Sequence, residues 1–385
     1  MVVALDHAYD PSWAAEWDAV GLVCGDPDAT VTKILFAVDP VQATVDEALD
    51  QAADLLVTHH PLLLAGVHGV PASDPKGRLV HRLIRGGCAL FVAHTNADVA
   101  APGVSDALGS AIGLRDLRPL EPDPTEVWNK IVVFVPTGRA EALVDAMAAA
   151  GAGAFGAYDR CAWSTTGEGT FRPGVGAHPS LGAVGAVERV PEARIEMVLP
   201  RARRAAVIAA LRAAHPYEEP AFDLYRLDRS VESTRGTGRV GRLPDPMRLA
   251  DLVRHVAAVL PATAGGVRAS GSKDSVVATV AVCGGSGGAY AELARAAGAD
   301  AYVTADLRHH VTSEVAERSA GDPALQPSLA LIDIAHWASE WPWLAAAADR
   351  LRADLTTGGT TVDVRVSSIV TDPWTQHVDT DGSQS

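Results

Sequence analysis

Two adjacent histidines close an apolar run, Leu55-Leu56-Val57-Thr58-His59-His60-Pro61. Such a run reads as a buried strand, and proline stops it as a central strand. The two imidazoles therefore fall just past the carboxyl end of a core strand, the edge where open α/β sheets bind ligands. Beyond a strand end the alternation of side chains relaxes, so both rings can reach one cavity. An isolated His-His-Pro is otherwise a pair of loop histidines making ordinary hydrogen bonds. Three further strand ends carry polar clusters: His94 to Asp98, Thr304 to Asp306 with His309-His310, and His336-Trp337-Ala338-Ser339-Glu340. On a helix, positions four apart share a face, which would turn His336 and Glu340 toward one site. His59, His60, Asp98, His336 and Glu340 together offer three imidazoles and two carboxylates. That set exceeds one zinc with an open position. It suits two divalent metals bridged by a carboxylate, which lower the pKa of water and clamp both oxygens of a displacement. Zinc, iron, manganese and nickel all accept such donors.

The elements that position these groups follow an α/β grammar. Short apolar strands at 34–38, 55–58 and 89–93 alternate with helical spacing at 41–53, 78–86 and 104–112, the pattern of a parallel sheet with helices on its faces. Residues 1–11 read as irregular. From Trp128 the order becomes strand, helix, a Gly-rich hairpin-like middle, strand, helix, strand, which resembles the ferredoxin-like split motif. The α/β grammar then returns, with strands at 276–282, 301–304, 329–334 and 362–366 and helices at 249–260 and 341–355. The chain thus reads as one discontinuous α/β domain, 1–127 with 231–377, carrying an inserted ferredoxin-like α+β domain at 128–230. A polar tail at 378–385 has no reason to fold. Ala53-Asp54-Leu55-Leu56-Val57-Thr58 is echoed by Ala299-Asp300-Ala301-Tyr302-Val303-Thr304, each followed by histidines. Gly284 to Gly288 matches neither phosphate-binding fingerprint and reads as a tight strand-to-helix turn.

Composition narrows the function classes. A chain of 385 residues exceeds one ordinary core. A net charge of -15 makes nucleic acid and anionic membranes poor general partners. No apolar run is long enough to span a bilayer, and no signal peptide is visible at the N-terminus. Four widely spaced cysteines read as buried thiols in a reducing compartment, so the cytoplasm is the expected location.

The matching stretches are Trp17-Asp-Ala-Val-Gly-Leu22, Thr58-His-His-Pro61, His94-Thr-Asn-Ala-Asp98, Gly284-Gly-Ser-Gly287, Gly298 to Thr304 and His336-Trp-Ala-Ser-Glu340. In this order they resemble the family of Nif-three-like dinuclear-metal proteins, many described as GTP cyclohydrolase I type 2 homologues. Gly167 to Gly174 and His215-Pro-Tyr-Glu-Glu219 resemble the insert of the family's longer members, which looks similar to CutA-like or PII-like domains. The resemblance implies that His60 and Asp98 serve one ion, His59 and His336 the other, and that Glu340 bridges them. It gives His94 and His310 places beside the site, with proton-transfer or substrate-contact roles. It implies a homohexamer of two stacked trimers and a small-molecule substrate, GTP or another nucleotide, hydrolysed with metal assistance. The alternative is a non-catalytic protein for metal storage, delivery or regulation. Ala305 and His309 depart from a usual glycine and tyrosine, which affects the shape of the cavity beside Asp306.

Overall fold

The structure is a computed structural model that describes residues 1–123, 128–155, 158–227, 233–321 and 329–378. The chain forms two compact units, Met1–Asp123 with Ser233–Ser385, and Pro124–Glu232. The first unit opens with α1 (Val2–Ala8), β1 (Gly21–Cys24), β2 (Lys33–Ala37), α2 (Gln42–Asp50), β3 (Leu55–Thr58) and α3 (Pro75–Gly86). It continues through β4 (Ala89–Val92), α4 (Thr95–Val99), α5 (Val104–Ile112) and β5 (Arg115–Pro122). The second unit comprises β6 (Trp128–Pro136), α6 (Ala140–Ala149), β7 (Ala162–Phe171), β8 (Glu188–Pro200), α7 (Arg204–Ala214) and β9 (Phe222–Arg226). The first unit resumes with β10 (Gly236–Arg248), α8 (Leu249–Val259), β11 (Arg268–Ser270), β12 (Val276–Ser286) and α9 (Ala291–Ala296). It closes with β13 (Ala301–Ala305), α10 (His309–Gly321), β14 (Ala330–Ile334), α11 (His336–Thr357) and β15 (Asp363–Val366).

The first unit is mixed α/β with two sheets. One has the order β1-β4-β3-β2-β15, parallel except for the antiparallel edge strand β1. The other has the order β11-β14-β13-β12-β10-β5, in which only β14, β13 and β12 run parallel. All four residues of β3 are buried, as expected for a central strand covered on both faces. Each fully buried Leu or Val adds roughly 1.5–3 kcal/mol of hydrophobic stabilisation. The second unit is a four-stranded antiparallel sheet, β7-β8-β6-β9. Its helices α6 and α7 pack their apolar residues Leu143, Met147, Val207 and Leu211 into one core with Ile131, Val133 and Ile195.

The internal echo has a structural counterpart. Asp54 precedes β3, and its Oδ2 accepts from the backbone N–H groups of Thr32 (2.7 Å) and Lys33 (2.9 Å). Asp300 precedes β13, and its Oδ2 accepts from Ala278 and Thr279, both at 2.8 Å. Each aspartate thus secures the start of a neighbouring parallel strand.

Several expectations need correction. Residues 2–8 are helical, not irregular: α1 buries Leu5 and Ala8 in the core that also holds Trp343 and Leu344. Two turns are too short to declare a period, and packing supplies their stability. The antiparallel strands β5, β10 and β11 had no place in the reading from sequence. The last long helix starts at His336 rather than Trp341 and runs through Pro342; proline near a helix start reads as a first-turn residue. Cys161 is exposed, while Cys88 and Cys283 are buried, and all four cysteines are free thiols. The tail expected from 378 lies outside the described residues from 379 onward. Among the described residues no helix is long and apolar enough to cross a membrane.

Candidate metal centre

Six strand ends of the first unit deliver the polar groups, as a doubly wound architecture does. His59 and His60 follow β3. Their backbone N–H groups keep pairing with Ala37 and Val38 carbonyls, at 3.2 and 2.9 Å. Their rings nevertheless lie with centroids 5.1 Å apart. His94 caps α4 just after β4, and Asp98 sits within that helix. His336 opens α11 after β14, and Glu340 follows one turn later. Asp39 follows β2, Asp306 follows β13, and Gly284–Gly285 lie at the end of β12.

Glu340 is the hub. It is 3% exposed. His336 Nε2 stands 2.9 Å from its Oε1, His59 Nε2 3.4 Å from the same oxygen, and His60 Nε2 3.1 Å from Oε2. Asp98 Oδ1 lies 3.7 Å from His59 Nε2. Two groups of donors could each hold a metal ion: His59, His60 and His94, and His60, His336 and Glu340. His60 belongs to both.

The imidazoles are oriented from behind. His60 Nδ1 donates to Asp39 at 2.6 Å, His336 Nδ1 to Asp306 at 2.7 Å, and His94 Nδ1 to Asp18 at 2.9 Å. His59 Nδ1 donates to the Ala93 carbonyl at 2.9 Å. Each bond occupies Nδ1 and turns Nε2 toward the cluster, the arrangement seen behind metal-bound histidines.

Electrostatics agree with a cation site. Burial works to raise the Glu340 pKa, but His59, His60 and the His336 bond outweigh it and hold the carboxyl well below its usual range. Burial disfavours charge on His60, yet Glu340 and Asp39 push it up to about 11. His336 rises to about 9 against burial, through Glu340 and Asp306. Burial lifts Asp98 to about 6, and burial with the neighbouring imidazoles keeps His94 low. The carboxylates call for positive charge at the centre, which protons or metal ions supply.

The donors fit a metal on two further observations. His59 Nε2 and Glu340 Oε2 are buried without a hydrogen-bond partner among the described residues. Buried polar groups rarely stay unsatisfied. Gly285 also clears space: a Cβ there would stand 2.6 Å from Glu340 Oε1 and 3.3 Å from His336 Nε2. Its φ of +67° suits glycine, and its N–H donates to Ser339 Oγ at 2.8 Å.

A sequence model described as Duf34/NIF3 (NGG1p interacting factor 3) matches residues 1–373. The chain belongs to the DUF34/NIF3 family. A Mycobacterium leprae member named GTP cyclohydrolase 1 type 2 homolog is 51% identical over 375 residues, covering 97% of this chain and 94% of its own. A Bacillus subtilis member of the same name is 36% identical over 340 residues, 88% of each chain. Among solved structures, Staphylococcus aureus protein SA1388 matches with a TM-score of 0.80 and 27% identity, over 98% of this chain and 97% of that one. A Bacillus cereus protein related to NIF3 matches with a TM-score of 0.69 and 35% identity, over 97% of both chains.

Within this NIF3-family chain, the structure brings His59, His60, His94, Asp98, His336 and Glu340 to one place. It leaves His310 exposed at the start of α10, where its ring meets His309 at 5.4 Å. None of the contacts described for the cluster involves His310. The supporting groups Asp18, Asp39 and Gly285 went unassigned from sequence. Asp39 reads there only as a strand stop before Pro40. Asp18 lies inside a quoted motif without a role, and Gly285 reads as a turn residue.

Proposed function

We propose that this protein is a metal-dependent hydrolase with a dinuclear centre held by His59, His60, Asp98, His336 and Glu340. The buried, unpartnered Nε2 of His59 and Oε2 of Glu340 carry this reading, supported by the donor group of His60, His336 and Glu340. Two divalent ions bound there would supply Lewis-acid polarisation and a lowered pKa for water. Glu340 would bridge them. His60 and His336, their Nδ1 protons held by Asp39 and Asp306, would present Nε2. His94 would remain neutral and take up a proton at Nε2, with Asp18 stabilising the imidazolium that results. The names of its relatives support a nucleotide as substrate, with GTP the first to try.

The second unit fits an inserted ferredoxin-like domain. Numbering its own strands one to four, their order is two-three-one-four, with helices after the first and third, which is the split βαβ arrangement.

Elemental analysis of the purified protein tests the centre. The expected result is about two ions per chain, falling sharply in Glu340→Ala. Hydrolysis of GTP should accompany the ions and disappear in both His60→Ala and Glu340→Ala. One ion held equally well by Glu340→Ala would remove the bridge. Two ions without turnover of any nucleotide would leave metal storage or delivery as the function.

A further inference from the structure

A cavity of about 640 Å³ opens beside the cluster. His60 and His336 form one wall, and Asp372 and Trp374 another. We propose that this cavity binds a planar nitrogen heterocycle by its N–H edge, with the Asp372 carboxylate accepting the N–H and the Trp374 indole stacking on the ring. The inference rests on the hydrolytic reading of the cluster and names the part of the substrate that lies next to it.

The carboxylates around the cavity are not equivalent. Asp39 is engaged by His60 Nδ1 and the Thr371 hydroxyl. Asp306 is engaged by His336 Nδ1. Asp333 is engaged by the Arg268 guanidinium and by the Leu307 N–H at 3.0 Å. Asp372 differs from all three. It is 9% exposed; its carboxylate accepts the Trp374 backbone N–H, but its Oδ2 has no hydrogen-bond partner among the described residues. A buried carboxylate oxygen without a donor is a costly arrangement unless a ligand supplies the donor. An N–H edge does so, and guanine presents one as an adjacent ring N–H and amino group.

The neighbouring tryptophan supplies the other half. Trp337 and Trp343 are 4% and 1% exposed and belong to the core, whereas Trp374 is 73% exposed. An indole left in solvent on a cavity wall is a stacking platform for a flat ring. Thr371 ties this segment to Asp39, the same carboxylate that orients His60. Heterocycle and metal ligand are therefore positioned from one anchor. The lining cation Arg268 is already paired with Asp333, so a bare polyphosphate finds little to bind on this wall, and recognition falls to the ring.

The test uses the full-length, metal-loaded protein, with metal content measured on every sample. Guanosine 5′-monophosphate and ribose 5-phosphate serve as probes, titrated by calorimetry. The nucleotide should bind more tightly than the sugar phosphate. Asp372→Asn should weaken the nucleotide by roughly 10–100-fold, the range of one hydrogen bond to a charged group. Trp374→Ala, a surface change that spares the core, should weaken it by roughly tenfold or more. Neither variant should alter ribose 5-phosphate binding or metal content. Equal affinity for both probes, or unchanged nucleotide affinity in both variants, overturns the inference while leaving the metal centre standing. A wild-type protein that carries no ion overturns the hydrolytic reading and the inference with it.

Discussion

Asp39 accepts a hydrogen bond from His60 Nδ1 at 2.6 Å, and that bond turns His60 Nε2 toward Glu340, 3.1 Å away. The carboxylate touches no other member of the cluster among the described contacts. Its effect on a metal runs through the imidazole, by holding the tautomer and raising the ring's basicity. Removing such a partner typically costs 10–100-fold in metal affinity. Asp39→Asn, nearly isosteric, should therefore weaken metal binding by roughly 10–100-fold while the fold persists. A chelator competition titration beside a circular-dichroism melt checks this. Unchanged affinity would mean that Asp39 does not act through His60.

Gly285 offers a steric counterpart. Its Cβ would lie 2.6 Å from Glu340 Oε1, and its φ of +67° is unfavourable for any side chain. The backbone strain costs about 1–2 kcal/mol, and the contact pushes the Glu340 carboxylate away from His336. Gly285→Ala should lose most of its bound metal while its melting temperature drops by only a few degrees. Gly284→Ala is a different case, because its Cβ would meet the Val104 side chain at 2.6 Å and Glu340 only at 3.7 Å. It should cost stability more than metal. Equal metal loss in both variants would show that general loosening, not contact with Glu340, is responsible.

The two histidines after β3 were legible in the sequence because an apolar run broken by proline marks a strand end, and strand ends gather ligands. His336 and Glu340 were legible because four residues make one helical turn. The groups that orient them were not. Asp39 and His60 lie 21 positions apart, and parallel pairing of β2 with β3 brings them together, which no local spacing announces. The five-residue helix α4 that carries Asp98 is too short to show a period. Strand β10 does not show in the sequence because its glycines and arginines, Gly236-Thr-Gly-Arg-Val-Gly-Arg242, hide the alternation. There a charged residue is buried, for a reason found elsewhere in the chain.

That residue is Arg239, 1% exposed. Its Nε and one terminal nitrogen grip the two oxygens of Asp106, both at 2.7 Å. The same side chain donates to the carbonyls of Ala100 (2.7 Å), Gly236 (2.6 Å) and Gly238 (2.7 Å). It thereby ties β10 to α5 and to the turn that follows Asp98. Removing one member of a buried pair leaves an uncompensated charge. Arg239→Ala should destabilise the protein by about 3–5 kcal/mol. Arg239→Met, which keeps the volume, combined with Asp106→Asn should recover part of that loss. Urea denaturation of the single and double variants measures both effects, and purely additive losses would show that the pair is not coupled.

His215 gives a pH dependence confined to the second unit. It is 7% exposed. Its Nε2 donates to the Phe134 carbonyl at 2.8 Å, and its Nδ1 accepts the Tyr217 N–H at 3.1 Å. Only the neutral ring can do both. Burial lowers its pKa, opposed less strongly by the Phe134 bond and by Glu192. A histidine whose folded pKa lies below its unfolded value of about 6.5 stabilises the fold above that pH. The contribution is lost as pH falls from about 6.5 toward the folded value, because the unfolded chain binds the proton first. Protonation also removes the acceptor for the Tyr217 amide. Hydrogen exchange of that amide, corrected for intrinsic rate, should therefore accelerate between pH 7 and pH 5. In His215→Asn, whose side-chain oxygen can take the place of Nδ1 without titrating, the acceleration should vanish. An identical pH response in the two proteins would place the sensitivity in another group.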